Sequence, residues 1–291
     1  MKFVSFWHND AEGWGALTEK GIVDFGAGLD HQYRSLADFI ASPDYDHREE
    51  YLKLGFPVID PATVTWLPVI VRPEKIVSLV RNYMDHHREV VAAGLKREVP
   101  KFPPLFLRLW RSQIGHRQPL IRSAVSHTLD WEGELAVIIG KGGRHITEAD
   151  ALSHVAGYAC YNDGSIREFQ FHAQQIAAGK NFEGTGGFGP WMVTADEIGD
   201  PSNLALETRV NGEVVQSSNT ANMIFNVPKL IAYLSSIVEL VPGDVVVTGT
   251  PGGTGWNRKP EWFLKPGDVV EVTIEKIGTL CNVVEDEVVA A

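Results

Sequence analysis

Hydrophobic and polar positions alternate differently in two parts of the chain. In the first part, apolar runs predict strands at residues 1–7 and 15–25, and residues 33–41 and 47–55 have the pattern of short helices. Leu67-Pro68 and Arg72-Pro73 then interrupt the chain, and prolines spaced in this way are typical of boundaries. We therefore predict a small N-terminal α/β module at residues 1–70 and one larger domain at residues 71–291.

The larger part is rich in short apolar runs that end in turn signals. These runs predict strands at residues 76–80, 134–140, 155–162, 204–210, 213–216, 245–248 and 269–274, and helices at residues 82–93, 147–154, 166–178 and 228–240. One face of the first of these helices collects Tyr83, His86, Val90 and Ala93. Asn211-Gly212 lies between two strand-like runs and predicts a type I′ hairpin. The pattern as a whole predicts an α+β fold with short antiparallel or mixed strands.

Composition and charge narrow the classes of function. A formal net charge of -11 without a Lys/Arg cluster argues against binding to nucleic acid or to an anionic membrane surface. The two cysteines, Cys160 and Cys281, lie far apart and have no Cys-x-x-Cys partner, which argues against a disulfide framework and a cysteine zinc site. No signal peptide and no run of about 18 apolar residues is found, so we expect a cytoplasmic protein.

Three carboxylates are the most informative candidates for chemistry. Glu132 and Glu134 alternate on a predicted strand, so their side chains would point to the same face. Asp163 follows the end of the next apolar strand. Carboxylates held so close repel each other unless a cation or a shared proton compensates. Oxygen ligands of this kind suit Mg²⁺ or Mn²⁺ first and Ca²⁺ next. The alternative for an isolated Glu-x-Glu is that both side chains lie on a solvated face of a strand.

Four blocks of residues carry a resemblance to a known family, and they occur in the family's order. The blocks are Asn82-Tyr83-Met84-Asp85-His86-His87-Arg88-Glu89, Asp130-Trp131-Glu132-Gly133-Glu134-Leu135, the run from Asn162-Asp163 to Gly179-Lys180-Asn181-Phe182, and Thr248-Gly249-Thr250-Pro251-Gly252-Gly253-Thr254-Gly255. Together they resemble the fumarylacetoacetate hydrolase family over about residues 70 to 291. The resemblance implies a mixed β-roll core and a homodimer.

The resemblance also implies roles for individual residues. The implied metal ligands are Glu132, Glu134 and Asp163, the implied catalytic residues are His86, Glu89, Lys180 and Gln170, and the implied substrate-binding residues are Arg167, Thr250 and Tyr83. Within this set Glu89 would orient His86, which takes up a proton, while Lys180 and Gln170 would stabilise negative charge. His87 is the rival of His86 for the role of base.

Several positions depart from the family's pattern, and they concern the substrate pocket more than the metal site. Arg108 stands where many members carry lysine, and Glu183 and Glu168 stand where aspartate is usual. Residues 184–189 are unusually rich in glycine, and we interpret them as a flexible flap. These differences leave the identity of the substrate open.

The predicted function is metal-dependent hydrolysis of a C–C bond in an acylpyruvate-type 1,3-dicarbonyl 2-oxo acid. The same residues would serve an isomerase, tautomerase or decarboxylase that acts on a 2-oxo or 2-hydroxy-dienoic diacid or on oxaloacetate through an enolate. An alternative from another class of function is a dimer that binds a ligand without catalysis. Retention of the three carboxylates together with His86, Glu89 and Lys180 argues against it. Nucleotide binding is disfavoured, because no Gly-Lys-Ser/Thr follows the glycines of residues 249–255.

Overall fold

The computed structural model of the protein describes residues 1–92 and 98–289. Its strands, numbered β1 to β19 in chain order, are Lys2–His8, Ala11–Thr18, Gly21–Asp24, Val58–Ile59, Thr65–Trp66, Ile76–Leu79, Leu105–Arg108, Gln113–Ile114, Leu120–Arg122, Leu129–Asp130, Gly133–Ile139, Val155–Asp163, Ser165–Ile166, Gly186–Thr194, Ala205–Val210, Glu213–Asn219, Val245–Val247, Val269–Ile274 and Gly278–Asp286. Its α-helices, α1 to α7, are Phe25–Gly28, Leu36–Ile40, Arg48–Tyr51, Met84–Ala92, Arg167–Gln170, Ala195–Ile198 and Val227–Ile237. Single 3₁₀ turns lie at Pro43–His47, Pro61–Thr63, Trp110–Ser112, Ala151–His154, Ile176–Lys180, Pro201–Asn203, Thr220–Asn222 and Gly255–Asn257.

The centre of the molecule is a large mixed sheet whose main path runs β4-β3-β2-β1-β14-β12-β11-β17-β6-β7. Strand β11 is buried along its whole length. Leu135 and Val137 pack into one hydrophobic cluster, and Ala136 and Ile138 pack into another on the opposite face. Because both faces of this strand are covered, its sequence is a continuous apolar run instead of an alternation.

A second sheet, in the order β16-β15-β18-β19-β9, covers one face of the central sheet. Its inward side chains, among them Leu206 and Val272, join the cluster of Leu135. Helix α7 packs into the same cluster through Leu230 and Leu234. These layers of sheet and helix confirm the predicted α+β class.

The N-terminal segment covers the other face of the central sheet and also extends it. Strand β1 pairs with β14 in antiparallel fashion, with Phe3 opposite Met192. Phe3, Trp14 and Phe39 belong to the cluster of Ala136 on this face, and the rings of Trp14 and Phe39 lie 4.8 Å apart. The boundary near residue 70 stays a prediction, and the two parts of the chain share one sheet.

The local pattern predicted several elements closely. The strand at residues 269–274 is confirmed as Val269–Ile274, and the helix at residues 228–240 is observed at Val227–Ile237. The hairpin is confirmed, because Asn211 and Gly212 have φ values of 52° and 81°, as a type I′ turn requires. Helix α4 begins at Met84; the predicted face residue Ala93 and the side chain of Val90 lie outside the described part.

Other predicted elements were wrong in extent or kind. Residues 15–25 form parts of two strands joined by a turn, and the predicted helix at 147–154 is reduced to the 3₁₀ turn Ala151–His154. The predicted helix at 166–178 is broken into Arg167–Gln170 and the turn Ile176–Lys180. This break has a structural reason, because Arg167 and Lys180 both reach Glu132 and one straight helix would carry them apart.

The prediction of a flexible flap at residues 184–189 was also wrong, because Gly186–Thr194 is strand β14 and its glycines are buried. A Cβ at Gly187 would lie 2.7 Å from Oδ1 of Asn282. Gly184 has a φ of 72°, and a Cβ there would lie 2.5 Å from the Ile121 side chain. Close packing and backbone geometry explain these two glycines without a mobile segment.

Candidate active site

One cavity of about 520 Å³ brings most of the predicted site residues together. The polar part of its wall includes His86, Glu132, Arg167, Gln170, Lys180 and Thr250, together with Asn257. The apolar part of the wall includes Leu79, Leu105, Phe106, Phe171, Ile176 and Trp256. A concave site with a few convergent polar groups and an apolar wall is typical of a small-molecule site.

Neighbouring strand ends place the three carboxylates side by side. Glu132 immediately precedes β11, Glu134 is the second residue of that strand, and Asp163 ends β12. The two strands pair in register with Gly133 opposite Asn162, and the amide of Asp163 donates to the carbonyl of Glu132. The prediction that Glu132 lies on the strand was therefore wrong by one residue, yet the three side chains meet.

The carboxylate group fits a hard divalent cation. One oxygen from each of Glu132, Glu134 and Asp163 lies within 4.8 Å of the others, and all three residues are buried. Oε2 of Glu134 accepts from the amide of Gly249, whereas Oε1 is buried without a hydrogen-bond partner among the described residues. A buried carboxylate oxygen without a partner is costly, and a cation bound by three oxygens would satisfy it.

The pKa values of the carboxylates separate them into two kinds. Burial raises the pKa of Glu134 well above its ordinary range, and the nearby charges of Asp163 and Glu132 raise it further. Burial acts in the same direction on Glu132, but Lys180 and Arg167 outweigh it and lower its pKa to about 2. Burial among like charges therefore favours the neutral form of Glu134, and the two cations favour the ionised form of Glu132.

Three buried cations surround these carboxylates. Nζ of Lys180 donates to Glu132 and to Asp163, at 2.7 Å in each case. Nη1 of Arg167 donates to Glu132 at 2.6 Å, and Arg108 forms an ion pair with Asp163 in which both side chains are fully buried. Such pairing is what allows several charges to remain inside a protein.

Arg167 also shows where a ligand could be held. Its Nε donates to Asp130 at 2.8 Å, and its Nη1 donates in addition to Oε1 of Gln170 at 3.0 Å. Its Nη2 is buried without a hydrogen-bond partner among the described residues. Since Arg167 lines the cavity, its guanidinium is the kind of group that could hold an oxygen of a bound acid.

The predicted His–Glu pair is present on helix α4. Nδ1 of His86 lies 3.3 Å from Oε2 of Glu89. Burial acts to raise the pKa of Glu89, but hydrogen bonds and charge from His86, Asn257 and Gly253 lower it. An ionised carboxylate only accepts, so Nδ1 of His86 carries the proton and Nε2 is left as a base. His87, the rival residue, does not line the cavity.

Two predicted substrate-binding residues have other surroundings than expected. Thr250 lines the cavity, but its hydroxyl donates to the carbonyl of Gly133 at 3.0 Å and accepts from Gln216 at 2.9 Å. Tyr83 is fully buried and is not part of the cavity wall. The structure therefore places Tyr83 in the interior, where its backbone bridges to Met223, and provides no direct contact to a substrate.

Four residues that sequence reasoning did not assign also support the site. These are Arg108, Asp130, Gln216 and Asn257, which hydrogen-bond to Asp163, Arg167, Thr250 and Glu89. Asp130 lies in the family block at residues 130–135, and Arg108 departs from the family pattern, so the sequence drew attention to both residues. Gln216 ends the hairpin at residues 211–216, which also resembles the family. Asn257 gave no signal, since a single amide in a loop carries no spacing pattern.

Known proteins are similar to this chain over the region that carries the four family blocks. The family model described as the C-terminal part of fumarylacetoacetate (FAA) hydrolase matches residues 75–285. The human oxaloacetate tautomerase FAHD2A, mitochondrial, is 44% identical over 233 residues, which are 79% of this chain and 73% of that protein. The match with the family model covers most of the chain, including every candidate site residue.

Two solved structures extend the similarity to the whole chain. The fumarylacetoacetate hydrolase of Exiguobacterium antarcticum has a TM-score of 0.82 and 34% identity, covering 99% of this chain and 100% of that one. The maleylpyruvate hydrolase of Sphingobium sp. SYK-6, solved with manganese(II) and pyruvate, has a TM-score of 0.81 and 26% identity with the same coverage. This chain belongs to the fumarylacetoacetate hydrolase family, and the resemblance inferred from its four sequence blocks is confirmed.

Proposed function

We propose that this protein is a divalent-metal-dependent tautomerase that interconverts the keto and enol forms of a 2-oxo diacid of the oxaloacetate type. One observation carries the proposal: the His86–Glu89 pair and the triad of Glu132, Glu134 and Asp163 serve a single cavity. The similarity to a human protein named oxaloacetate tautomerase supports this choice of substrate. From the sequence alone, tautomerisation is the alternative to hydrolysis.

The reaction needs one base and a stabilised oxygen. Nε2 of His86 would take a proton from the carbon between the 2-oxo group and the second carboxylate, and the electron pair of that C–H bond would form the enol double bond. The electrons of the carbonyl move to its oxygen, which then takes up a proton to give the enol. Lys180 and Arg167 would hold the negative charge on the substrate oxygens.

The cation is Mg²⁺ or Mn²⁺ in this proposal, with Ca²⁺ third, because the donors of the triad are all carboxylate oxygens. Bound there, it would act as a Lewis acid on the 2-oxo acid end of the substrate. Glu134 would lose its proton to make room for the ion, because burial and its carboxylate neighbours raise the pKa of that group in the free protein.

Hydrolysis of acylpyruvates is the second candidate, and it was the leading prediction from the sequence. The similar maleylpyruvate hydrolase was solved with manganese(II) and pyruvate. In that reaction His86 would take its proton from a water molecule that attacks the distal carbonyl. Decarboxylation of oxaloacetate would use the same polar groups and release CO₂.

One experiment separates these reactions. Metal-stripped protein is given oxaloacetate or a small acylpyruvate, with Mg²⁺ or Mn²⁺ added back, and the enol absorbance, pyruvate and CO₂ are followed together. We expect enol loss from oxaloacetate without pyruvate or CO₂, and loss of the activity in His86→Gln and Glu132→Gln. His87→Gln is the matched control and should keep it. Metal-dependent pyruvate release from the acylpyruvate alone would favour the hydrolase.

A homodimer and a cytoplasmic location stay predictions for this protein. The described helices are all too short or too polar to cross a bilayer. The names of several similar proteins place them in mitochondria. Sedimentation of the purified protein would test the dimer, and localisation of a tagged protein would test the compartment.

A further inference from the structure

Glu89 receives hydrogen bonds from two separate elements. From its own helix, Nδ1 of His86 lies 3.3 Å from its Oε2. From the loop that follows β17, the amide of Gly253 donates at 3.2 Å to Oε1, and Nδ2 of Asn257 donates at 2.9 Å to Oε2. The bond from Asn257 is the shortest of the three, so the loop holds the carboxylate at least as closely as the histidine does.

The loop is itself held in place by further hydrogen bonds, so its conformation is well defined. The carboxylate of Asp130 accepts from the amides of Gly255 and Trp256 at 2.8 and 2.9 Å. Nδ2 of Asn257 has a second contact to Oγ1 of Thr254 at 3.2 Å. Side-chain orientation that is locked by outer contacts of this kind is what holds a reactive group in its productive geometry.

We propose that Asn257 is a positioning residue that holds Glu89 in the orientation in which it accepts from Nδ1 of His86. The proton on Nδ1 leaves the lone pair of Nε2 for the substrate. The kinetic part of this inference rests on the proposed function, whereas the tautomer of His86 does not depend on any substrate.

The physical reason lies in the exposure of the carboxylate. The side chain of Glu89 is 31% exposed and that of His86 is 13% exposed. Without the amide of Asn257, a partly exposed glutamate gains rotamers in which it is hydrated and no longer reaches His86. Among the described residues, Asp85 and Arg88 lie on the same helix, and Arg81, Glu132 and Lys180 line the same cavity as His86. The hydrogen bonds recorded to Glu89 come from His86, Gly253 and Asn257.

Two substitutions test the role. Asn257→Ala removes the donor, and we expect kcat to fall about tenfold while KM changes less than about threefold. Asn257→Asp keeps the shape but places a second carboxylate against Glu89; the two would share a proton, so the acidic limb of the kcat/KM profile should move to higher pH. Asn203→Asp adds the same charge at an exposed position and is the matched control.

A second readout needs no substrate. The ¹⁵N chemical shifts of the His86 ring report which nitrogen carries the proton, and we expect the Nδ1–H form to dominate in the parent protein and in Asn203→Asp. In Asn257→Ala the share of that form should fall. Unchanged shifts and an unchanged pH profile in both Asn257 variants would overturn the proposal. If the parent protein has no tautomerase activity but the shifts change as expected, the proposed function fails and the positioning role stands.

Discussion

At the scale of single residues, the same type of ion pair occurs in two very different surroundings. Arg108 pairs with Asp163 where both side chains have no exposed surface, and Arg111 pairs with Glu183 where the exposed fractions are 63% and 72%. Water screens the second pair and is excluded from the first. The two arginines therefore differ in what their removal costs.

For Arg108→Leu we expect the free energy of unfolding to fall by about 3–5 kcal/mol, because a fully buried ion pair is broken and Asp163 keeps only Lys180 as a charged partner. The matched change Arg111→Leu should cost less than about 1 kcal/mol. Urea unfolding of both variants in a chelating buffer would measure the two values. Equal losses would contradict the argument from burial.

From the burial of His116 we predict that the free energy of unfolding depends on pH. Burial, helped by Arg117, lowers the pKa of His116 from 6.5 to about 4. The unfolded chain therefore takes up this proton first as the pH falls, so the contribution of His116 is complete above pH 6.5 and is lost progressively towards pH 4. In His116→Gln the slope of unfolding free energy against pH should be shallower between pH 5 and 6.5. A His116→Gln protein with the parent slope would contradict the argument from burial.

Some site residues could be predicted from the sequence and others could not. The triad, His86, Glu89 and Lys180 stand in short motifs whose spacing the fold preserves. Tyr83 stands in such a motif too, yet its side chain points into the interior, because a motif does not say which side chains face the cavity. Asn257 was missed because its role depends on a contact with Glu89 that is distant in sequence.

At the scale of elements, the loop between β17 and the turn Gly255–Asn257 has requirements that only glycine meets. Gly253 has a φ of 101°, and a Cβ there would lie 2.2 Å from the carbonyl oxygen of Val215. Gly212 in the hairpin also has a positive φ, 81°, but a Cβ there would meet nothing within 4 Å. Glycine is required at position 253 by both the backbone conformation and the lack of space for a side chain, and at position 212 by the backbone conformation alone.

We therefore expect Gly253→Ala to shift the loop and to lower kcat at least about tenfold, because the amide that donates to Glu89 moves with it. Gly212→Ala should cost about 1–2 kcal/mol of stability through its backbone conformation and leave kcat unchanged. Steady-state kinetics and urea unfolding of the two variants would test this contrast. A Gly253→Ala protein with the parent kcat would show that the loop tolerates the side chain.

Strands were easier to predict than helices for a physical reason. A strand such as Val269–Ile274 alternates between buried and half-buried positions, so its pattern is visible locally. The segment at 166–178 is polar and its shape follows from the carboxylates that Arg167 and Lys180 must reach. Tertiary contacts of this kind override local propensity.

At the scale of the whole molecule, a cation bound by the triad would link its binding to folding. The triad joins residues from two neighbouring strands of the central sheet, so an ion that binds there favours the folded chain. An ion at 100 times its dissociation constant should raise the free energy of unfolding by about 2.7 kcal/mol. Thermal unfolding with and without Mn²⁺ would measure the shift. Glu134→Gln should show little of it, and an equal shift in that variant would place the ion elsewhere.

The loop at residues 249–257 donates to three carboxylates at once. The amide of Gly249 serves Glu134, Gly253 and Asn257 serve Glu89, and the amides of Gly255 and Trp256 serve Asp130. A change in this loop would therefore disturb the proposed cation site, the proposed base and the support of Arg167 together. We expect substitutions that change substrate preference alone to lie at cavity residues outside the loop, such as Leu105 and Ile176.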